Sequence, residues 1–278
     1  MTTNSTDRKM MSLFEIPLNY TFTIRLENNR YKITSWLFLN FFTTIYYALI
    51  CANSINLTTI IALGVFTLSI FYLYEWGYIY NDIKAIRHEI APTLRVNNLA
   101  LEYGNRHFAH ITIIRFSVFT IGLLLTYLLI PTTNTLIATG LATICPLLFF
   151  CYNQWRSKYN VFLYFWLVAS RFLPFAWLIE SDQTMVKSLL ILLIYPLEIG
   201  IERFSMPHYR YPIISKIIPE EQSKHLFRVF YYSMMLIVIG WLLSKSVINL
   251  ELAFPFFLFW IYRCVIYLKQ RQHADSLS

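Results

Sequence analysis

Three carboxylates lie at regular intervals along one stretch of the chain. Glu75, Asp82 and Glu89 are each separated by seven residues. On a helix this spacing places all three on one face. Carboxylates on a helix that leaves an apolar environment are costly unless that face meets a polar cavity. This acidic ladder is therefore a candidate functional site. The alternative is a frayed helix end whose polar groups are satisfied by their neighbours.

The composition indicates the class of protein that carries this ladder. Of the 278 residues, 57% are hydrophobic and only 14% are charged, whereas a soluble domain has about 25% charged residues. Several apolar runs reach the ~18 residues needed to cross a bilayer, and the short alternating segments of a membrane barrel are not seen. We therefore expect an all-α, polytopic membrane bundle. The four cysteines form no C-x-x-C pair and predict neither a zinc site nor a disulfide framework.

Eight apolar runs are predicted to be membrane spans. They divide the chain into an N-terminal segment (1–32), a transmembrane domain (33–268) and a tail (269–278). The predicted spans are 33–53, 57–80, 111–130, 134–151, 159–178, 185–201, 226–243 and 248–267.

The basic residues orient these spans. Nearly all of the 23 Lys and Arg residues, including Arg115, Arg228 and Arg263, fall on the side that holds both chain ends. The exceptions are Lys187 and Lys245 on the opposite side and one arginine within the fifth span. By the positive-inside rule we expect both termini and the long polar loops to be cytoplasmic. The formal charge of +8 is explained in this way without a nucleic-acid partner.

Acidic residues at helical spacing, with basic loops on the same side, are suited to a phosphorylated ligand. Mg²⁺ takes oxygen ligands and is usually held by one or two carboxylates together with substrate phosphates. Arg and Lys neutralise the remaining phosphate charge. The spans are rich in aromatic residues, with 23 Phe, 20 Tyr and 7 Trp in the chain, and can line a pocket for an apolar tail. Most of these rings are nevertheless expected to serve ordinary helix packing and interface belts. The pattern predicts a lipid diphosphate as ligand.

Three motifs, found in order within roughly residues 65–235, resemble those of the UbiA superfamily of intramembrane prenyltransferases. Y-N-D-I-K-A-I-R-H-E ends the second predicted span, where that family has NDxxDxxxD. Y-N-Q-W-R-S-K follows the fourth span, where the family has a Tyr followed by basic residues. E-I-G-I-E ends the sixth span, where many members read E-I-G-K-D.

The resemblance implies a site with a metal half and a diphosphate half. It implies Asp82 and Glu202 as the catalytic carboxylates. The candidate Mg²⁺ ligands are Asn81, Asp82, Glu89, Glu198 and Glu202, and the candidate diphosphate ligands are Arg95, Tyr152, Arg156 and Lys158. Glu198 belongs to the metal set as a replacement oxygen inferred one turn before Glu202, and is not a family feature.

The chain departs from the family pattern at three acidic positions. Ala85 stands where NDxxDxxxD has its second Asp, and Ser205 and Tyr209 replace two aspartates of the second motif. The family's full two-magnesium site cannot be assembled from these positions. The eight predicted spans are also one fewer than the family's usual nine.

Two functions from different classes follow. One is a membrane enzyme that ionises an isoprenoid diphosphate and transfers the prenyl group to an aromatic or other lipophilic acceptor, or cyclises it. The other is a UbiA-fold membrane protein that binds a lipid or a partner without turnover. Carboxylates that converge on a cavity favour chemistry, whereas carboxylates held in pairs with Arg171 or its neighbours favour binding. Arg171 lies within the fifth predicted span and needs a counter-charge or a polar cavity.

The charge asymmetry generates a topology prediction. A reporter fused after Ser278 is expected to be active only in the cytoplasm, because an even number of spans returns the chain to its starting side. A reporter active on the opposite side would show that a span was missed and would restore nine.

Overall fold

A computed structural model describes residues 2–88, 94–155, 159–206, 209, 211–218 and 221–275. All regular secondary structure in these ranges is helical. The α-helices of the first half are α1 (Thr2–Glu15), α2 (Arg30–Leu37), α3 (Thr43–Leu49), α4 (Leu57–Ile83), α5 (Asn98–Arg106), α6 (Phe108–Leu129) and α7 (Thr133–Gln154). Those that follow are α8 (Asn160–Leu178), α9 (Thr184–Ile194), α10 (Pro196–Phe204), α11 (Pro212–Ile217), α12 (Glu221–Ser244) and α13 (Leu250–Asp275).

Within the described ranges, seven helical stretches are long and apolar enough to cross a membrane. They correspond to the last seven predicted spans, with α9 and α10 together forming one of them. The first predicted span, 33–53, is instead built from α2, a π-helical segment at Phe38–Phe42 and α3. The predicted all-α, multi-pass architecture is therefore confirmed with seven candidate spans in the described ranges, and the first predicted span, 33–53, remains a prediction.

Side-chain caps define where several helices begin. The Asn56 side chain accepts a hydrogen bond from the backbone N–H of Thr59 at the start of α4. Asn97 does the same for Ala100 at the start of α5. Such caps satisfy backbone donors that the first helical turn leaves without a partner. The residue at which each of these helices begins is therefore set by its local sequence.

The described chain forms two compact units. Unit 1 comprises residues 1–156 and 170–182, and unit 2 comprises residues 157–169 and 183–278. In unit 1, α4 packs chiefly against α6, with α7 beside them. Phe66, Phe119 and Phe175 are among the buried side chains of this core.

The N-terminal segment belongs to the core of unit 1. Phe14 and Tyr20 are fully buried and pack with Ile79 and Ile83 from the end of α4. Burial of large aromatic side chains is worth several kcal/mol in total. The segment predicted from its polar composition to precede the bundle is therefore held against α4.

We predict that the close approach of α4 and α6 depends on Gly122. A Cβ atom at this position would overlap Oγ of Ser69 and lie 2.9 Å from its Cβ. Gly122→Ala should therefore lower the free energy of unfolding by about 1–3 kcal/mol, the usual cost of overpacking. Thermal unfolding of the detergent-solubilised protein measures the change.

Gly140 in α7 provides the matched control, because a Cβ atom there would meet nothing within 4 Å. Gly140→Ala should leave the melting temperature unchanged or raise it, since alanine is the better helix former. Equal destabilisation by the two substitutions would contradict the packing of α4 on α6.

Candidate functional site

Two residues of the acidic ladder, Glu75 and Asp82, lie on α4. Glu75 and Asp82 are buried, and so is Ala85 in the 3₁₀ turn Ala85–His88. The prediction that these residues face the interior is confirmed for all three. Glu89 lies outside the described residues. The burial of two carboxylates on an apolar helix requires that each has a partner.

Glu75 is paired with Arg115 of α6. Arg115 Nη1 lies 3.0 Å from Glu75 Oε2, and both side chains are buried. Glu75 also accepts hydrogen bonds from the backbone N–H groups of Leu18 at 2.9 Å and Thr21 at 2.6 Å. Arg115 in turn donates to the carbonyl oxygen of Phe14 through Nη2 at 2.6 Å. The pair therefore joins α4, α6 and the N-terminal segment. Its further hydrogen bonds to Leu18, Thr21 and Phe14 are to backbone groups of that segment.

Asp82 is held by three side-chain donors. Tyr20 Oη donates to Oδ2 at 2.9 Å, Arg25 Nη2 to Oδ1 at 2.8 Å, and Arg95 Nη1 to the same Oδ1 at 3.4 Å. Arg25 also lies over the ring of Tyr78, 4.6 Å from its centroid. Burial first, and then the neighbouring Asp82 carboxylate, raise the pKa of the Tyr20 phenol. The phenol consequently stays protonated and acts as a donor. We call Asp82, Tyr20, Arg25 and Arg95 the Asp82 cluster.

Four further residues are predicted as metal or diphosphate ligands: Asn81, Tyr152, Arg156 and Lys158. Asn81 is partly exposed at the end of α4, next to Asp82, and Tyr152 is partly buried in the last turn of α7. Arg156 and Lys158 lie outside the described residues. Of the predicted diphosphate ligands, Arg95 is the one that the described structure places beside a predicted catalytic carboxylate.

Arg171 lies in the part of α8 that belongs to unit 1. Its guanidinium group is 4.2 Å from the centroid of the Tyr74 ring on α4. It also lies 4.9 Å from the ring of Phe172. Stacking on aromatic faces is a favourable environment for a buried guanidinium.

In unit 2, a helix break positions the second acidic motif. Tyr195 interrupts the span between α9 and α10, and Pro196 begins α10. Proline has no N–H and disrupts the helical hydrogen bonds before it. The carbonyl oxygens of Leu193 and Ile194 accept hydrogen bonds from the hydroxyl groups of Tyr231 and Tyr232 on α12. Such replacement is required where backbone polar groups are shielded from water.

The two carboxylates that follow this break are both paired with arginines. Glu198 accepts hydrogen bonds from Arg263 Nη2 at 3.0 and 3.1 Å. Glu202 accepts two hydrogen bonds of 2.9 Å from Nε and Nη2 of Arg228. Arg228 Nε also lies 3.3 Å from Glu198. Two carboxylates and two guanidinium groups thus form a network of balanced charge that joins α10, α12 and α13.

The two replaced acidic positions of this motif lie near the end of α10. The Ser205 hydroxyl donates to the carbonyl oxygen of Glu202 at 2.7 Å, and Tyr209 is buried. Ser205 therefore satisfies a backbone acceptor at the helix end. An ionised aspartate cannot donate that hydrogen bond.

The described carboxylates do not form a metal site built from protein ligands alone. No three His, Cys, Asp or Glu side chains within the described ranges are grouped so that they could hold a metal. The oxygens of Asp82, Glu198 and Glu202 instead face arginine N–H groups. Arginine supplies a permanent positive charge and a rigid fork of donors that matches a carboxylate. Mg²⁺ remains a prediction from the resemblance.

Several residues of these clusters were not predicted as site residues. Arg25, Arg115, Arg228 and Arg263 contributed to the predicted charge asymmetry only as members of the cytoplasmic side. The structure assigns each of them to a buried or partly buried carboxylate. For Arg115 and Arg263 a signal was present, because each interrupts an apolar helix and such residues usually pair with an opposite charge.

Comparisons with known proteins found no protein-family model, curated protein or solved structure that matches this chain. The resemblance to the UbiA superfamily continues to rest on the three motifs described above.

We predict that removing Arg115 strongly destabilises unit 1. Arg115→Met leaves Glu75 as an uncompensated buried charge, which costs about 3–5 kcal/mol. The double variant Glu75→Gln/Arg115→Met should recover much of the lost stability, because neither buried charge remains. Thermal unfolding in detergent measures both changes.

Arg106 is the matched control. It pairs with Glu102 at 2.8 Å on the surface, where the two side chains are 69% and 68% exposed. Arg106→Met should therefore change stability by less than about 1 kcal/mol. If Arg115→Met were as stable as Arg106→Met, the structural role of the Glu75–Arg115 pair would be refuted.

Proposed function

We propose that this protein is a multi-pass membrane protein that binds a lipid with an apolar tail and a phosphorylated head group, without metal-dependent turnover. One observation carries the proposal: Glu75, Asp82, Glu198 and Glu202 are each paired with at least one arginine. A carboxylate used in this way stabilises helix packing and leaves its oxygens unavailable to a metal ion.

The lipid class follows from the surroundings of these pairs. Apolar helices provide the environment for a long hydrocarbon tail, and Arg25 and Arg95 lie at the polar end of α4. Arginine is well matched to phosphate because its planar guanidinium offers paired donors. The resemblance to the UbiA superfamily makes an isoprenoid phosphate or diphosphate the first ligand to examine.

A second candidate is prenyl transfer from an isoprenoid diphosphate to an aromatic or other lipophilic acceptor, or terpene cyclisation. Its specific support is the separation of 3.4 Å between Arg95 and Asp82, since the resemblance implies both residues for such a site. This function requires the arginines to leave Asp82 and Glu202. Each departure costs a buried or partly buried ion pair, and we therefore place this function second.

The two functions predict different results for isoprenoid diphosphate consumption in membranes. For lipid binding, membranes that contain the protein should consume no more farnesyl diphosphate than membranes without it, with magnesium or with a chelator. The purified protein should bind farnesyl diphosphate equally well under both conditions.

The variants Asp82→Ala and Glu202→Ala test the second candidate, with the exposed Glu102→Ala as control. Magnesium-dependent consumption that both site variants abolish and the control retains would refute the binding proposal and establish the enzyme. Failure of the purified protein to bind any isoprenoid phosphate or diphosphate would refute lipid-phosphate binding.

A further inference from the structure

The Asp82 cluster contains one more positive than negative charge. We infer that Arg25 and Arg95 bind the phosphate group of the lipid directly, without a metal ion, at the end of α4. This inference rests on the proposed lipid binding and specifies its ligand and residues. Four observations support it. They are the excess positive charge at Asp82, the N–H donors that the arginines retain, the greater solvent exposure of the arginines than of Asp82, and the contacts that hold Arg25 in place.

The charge balance distinguishes this cluster from the other ion pairs in the helices. Glu75 faces one arginine, and Glu198 and Glu202 together face two. At Asp82, two arginines, Arg25 and Arg95, face a single described carboxylate. Among the described residues of these ion pairs, the excess positive charge therefore lies at Asp82. An anion that joins the cluster would balance it.

The two arginines also retain hydrogen-bond donors. A guanidinium group has five N–H donors. Arg25 uses Nη2 on Asp82 and on the carbonyl oxygen of Tyr78, and within the described ranges its buried Nε has no hydrogen-bond partner. Arg95 uses Nη1, in a long contact with Asp82. The buried Nε of Arg25 cannot reach an incoming anion, but the other N–H groups that the described contacts leave on the two arginines are sufficient for a bidentate interaction with phosphate oxygens.

The exposure of the three charges increases outward from the carboxylate. The Asp82 side chain is fully buried, that of Arg25 is 19% exposed and that of Arg95 is 39% exposed. An anion that approaches this end of α4 consequently meets guanidinium groups before it meets the carboxylate. A metal cation approaching by the same route would first meet two positive charges, which is unfavourable.

Asp82 and Tyr78 hold Arg25 in place before any ligand binds. Arg25 contacts the Asp82 carboxylate, and its guanidinium lies over the Tyr78 ring. Tyr20 occupies the other carboxylate oxygen and directs Oδ1 toward the arginines. A binding group that is already ordered loses less conformational entropy when its ligand arrives.

The expected ligand is a phosphate group that carries unshared negative charge, either on an isoprenoid chain or as a free ion. Binding is measured in dodecyl maltoside micelles, which contain no phosphate, with a chelator present. The probes are farnesyl phosphate, farnesol and inorganic phosphate. Farnesyl phosphate and farnesol share the apolar tail and differ in the phosphate.

The variants are Arg25→Lys, Arg25→Gln and Arg95→Gln, with the exposed Arg106→Gln as control. Loss of a charged hydrogen-bond partner should weaken farnesyl phosphate binding about tenfold or more in Arg25→Gln and in Arg95→Gln. Farnesol binding should not change. Arg25→Lys keeps the charge and should weaken binding less than Arg25→Gln. Arg95→Gln removes only a long, partly exposed contact, so it is expected to fold even if Arg25→Gln does not.

The outcomes separate this inference from the proposed function. Wild-type protein that binds farnesyl phosphate and farnesol equally, or Arg95→Gln protein with unchanged farnesyl phosphate affinity, would overturn the phosphate site and leave lipid binding standing. Wild-type protein that binds neither would refute the proposed function itself. Binding of inorganic phosphate as tight as that of farnesyl phosphate would show a site for the free ion and overturn the assignment to a lipid.

Discussion

A carboxylate buried among apolar helices is costly unless an opposite charge balances it, and both units of this protein depend on that constraint. Glu75, Asp82, Glu198 and Glu202 each have an arginine that comes from another helix or from the N-terminal segment. Removing one partner of such a pair destabilises the fold far more than replacing both partners with apolar residues. The ion pairs therefore specify which helices pack together, while apolar side chains supply most of the buried surface.

The same constraint accounts for the residues at positions 205 and 209, where the resemblance would place aspartates. Arg228 and Arg263 balance Glu198 and Glu202. Ionised aspartates at the buried positions 205 and 209 would add two negative charges beyond these. Serine avoids that cost and also satisfies a backbone carbonyl oxygen at the helix end. The absence of carboxylates at positions 205 and 209 thus agrees with a charge balance that Arg228 and Arg263 already complete.

The N-terminal segment links the two acidic residues of α4. Its backbone N–H groups at Leu18 and Thr21 bind Glu75. Its Tyr20 and Arg25 side chains bind Asp82 about two turns further along the helix. Leu18 has a positive φ of 65°, a conformation that is uncommon outside glycine and that accompanies the turn presenting these groups. The Asp82 cluster consequently exists only when this segment lies against α4.

The sequence by itself determined the class of this protein, the course of seven of its candidate spans and the inward orientation of Glu75 and Asp82. Length, apolar composition and heptad spacing are local properties, and the cost of exposing charge to lipid acts on each helix separately. The partners of Asp82 and Glu202 were decided by the tertiary structure. Arg25 is 57 residues from Asp82, and Arg228 is 26 residues from Glu202. A motif shows that an acidic residue needs a cation, but which cation reaches it depends on how helices distant in the chain pack together.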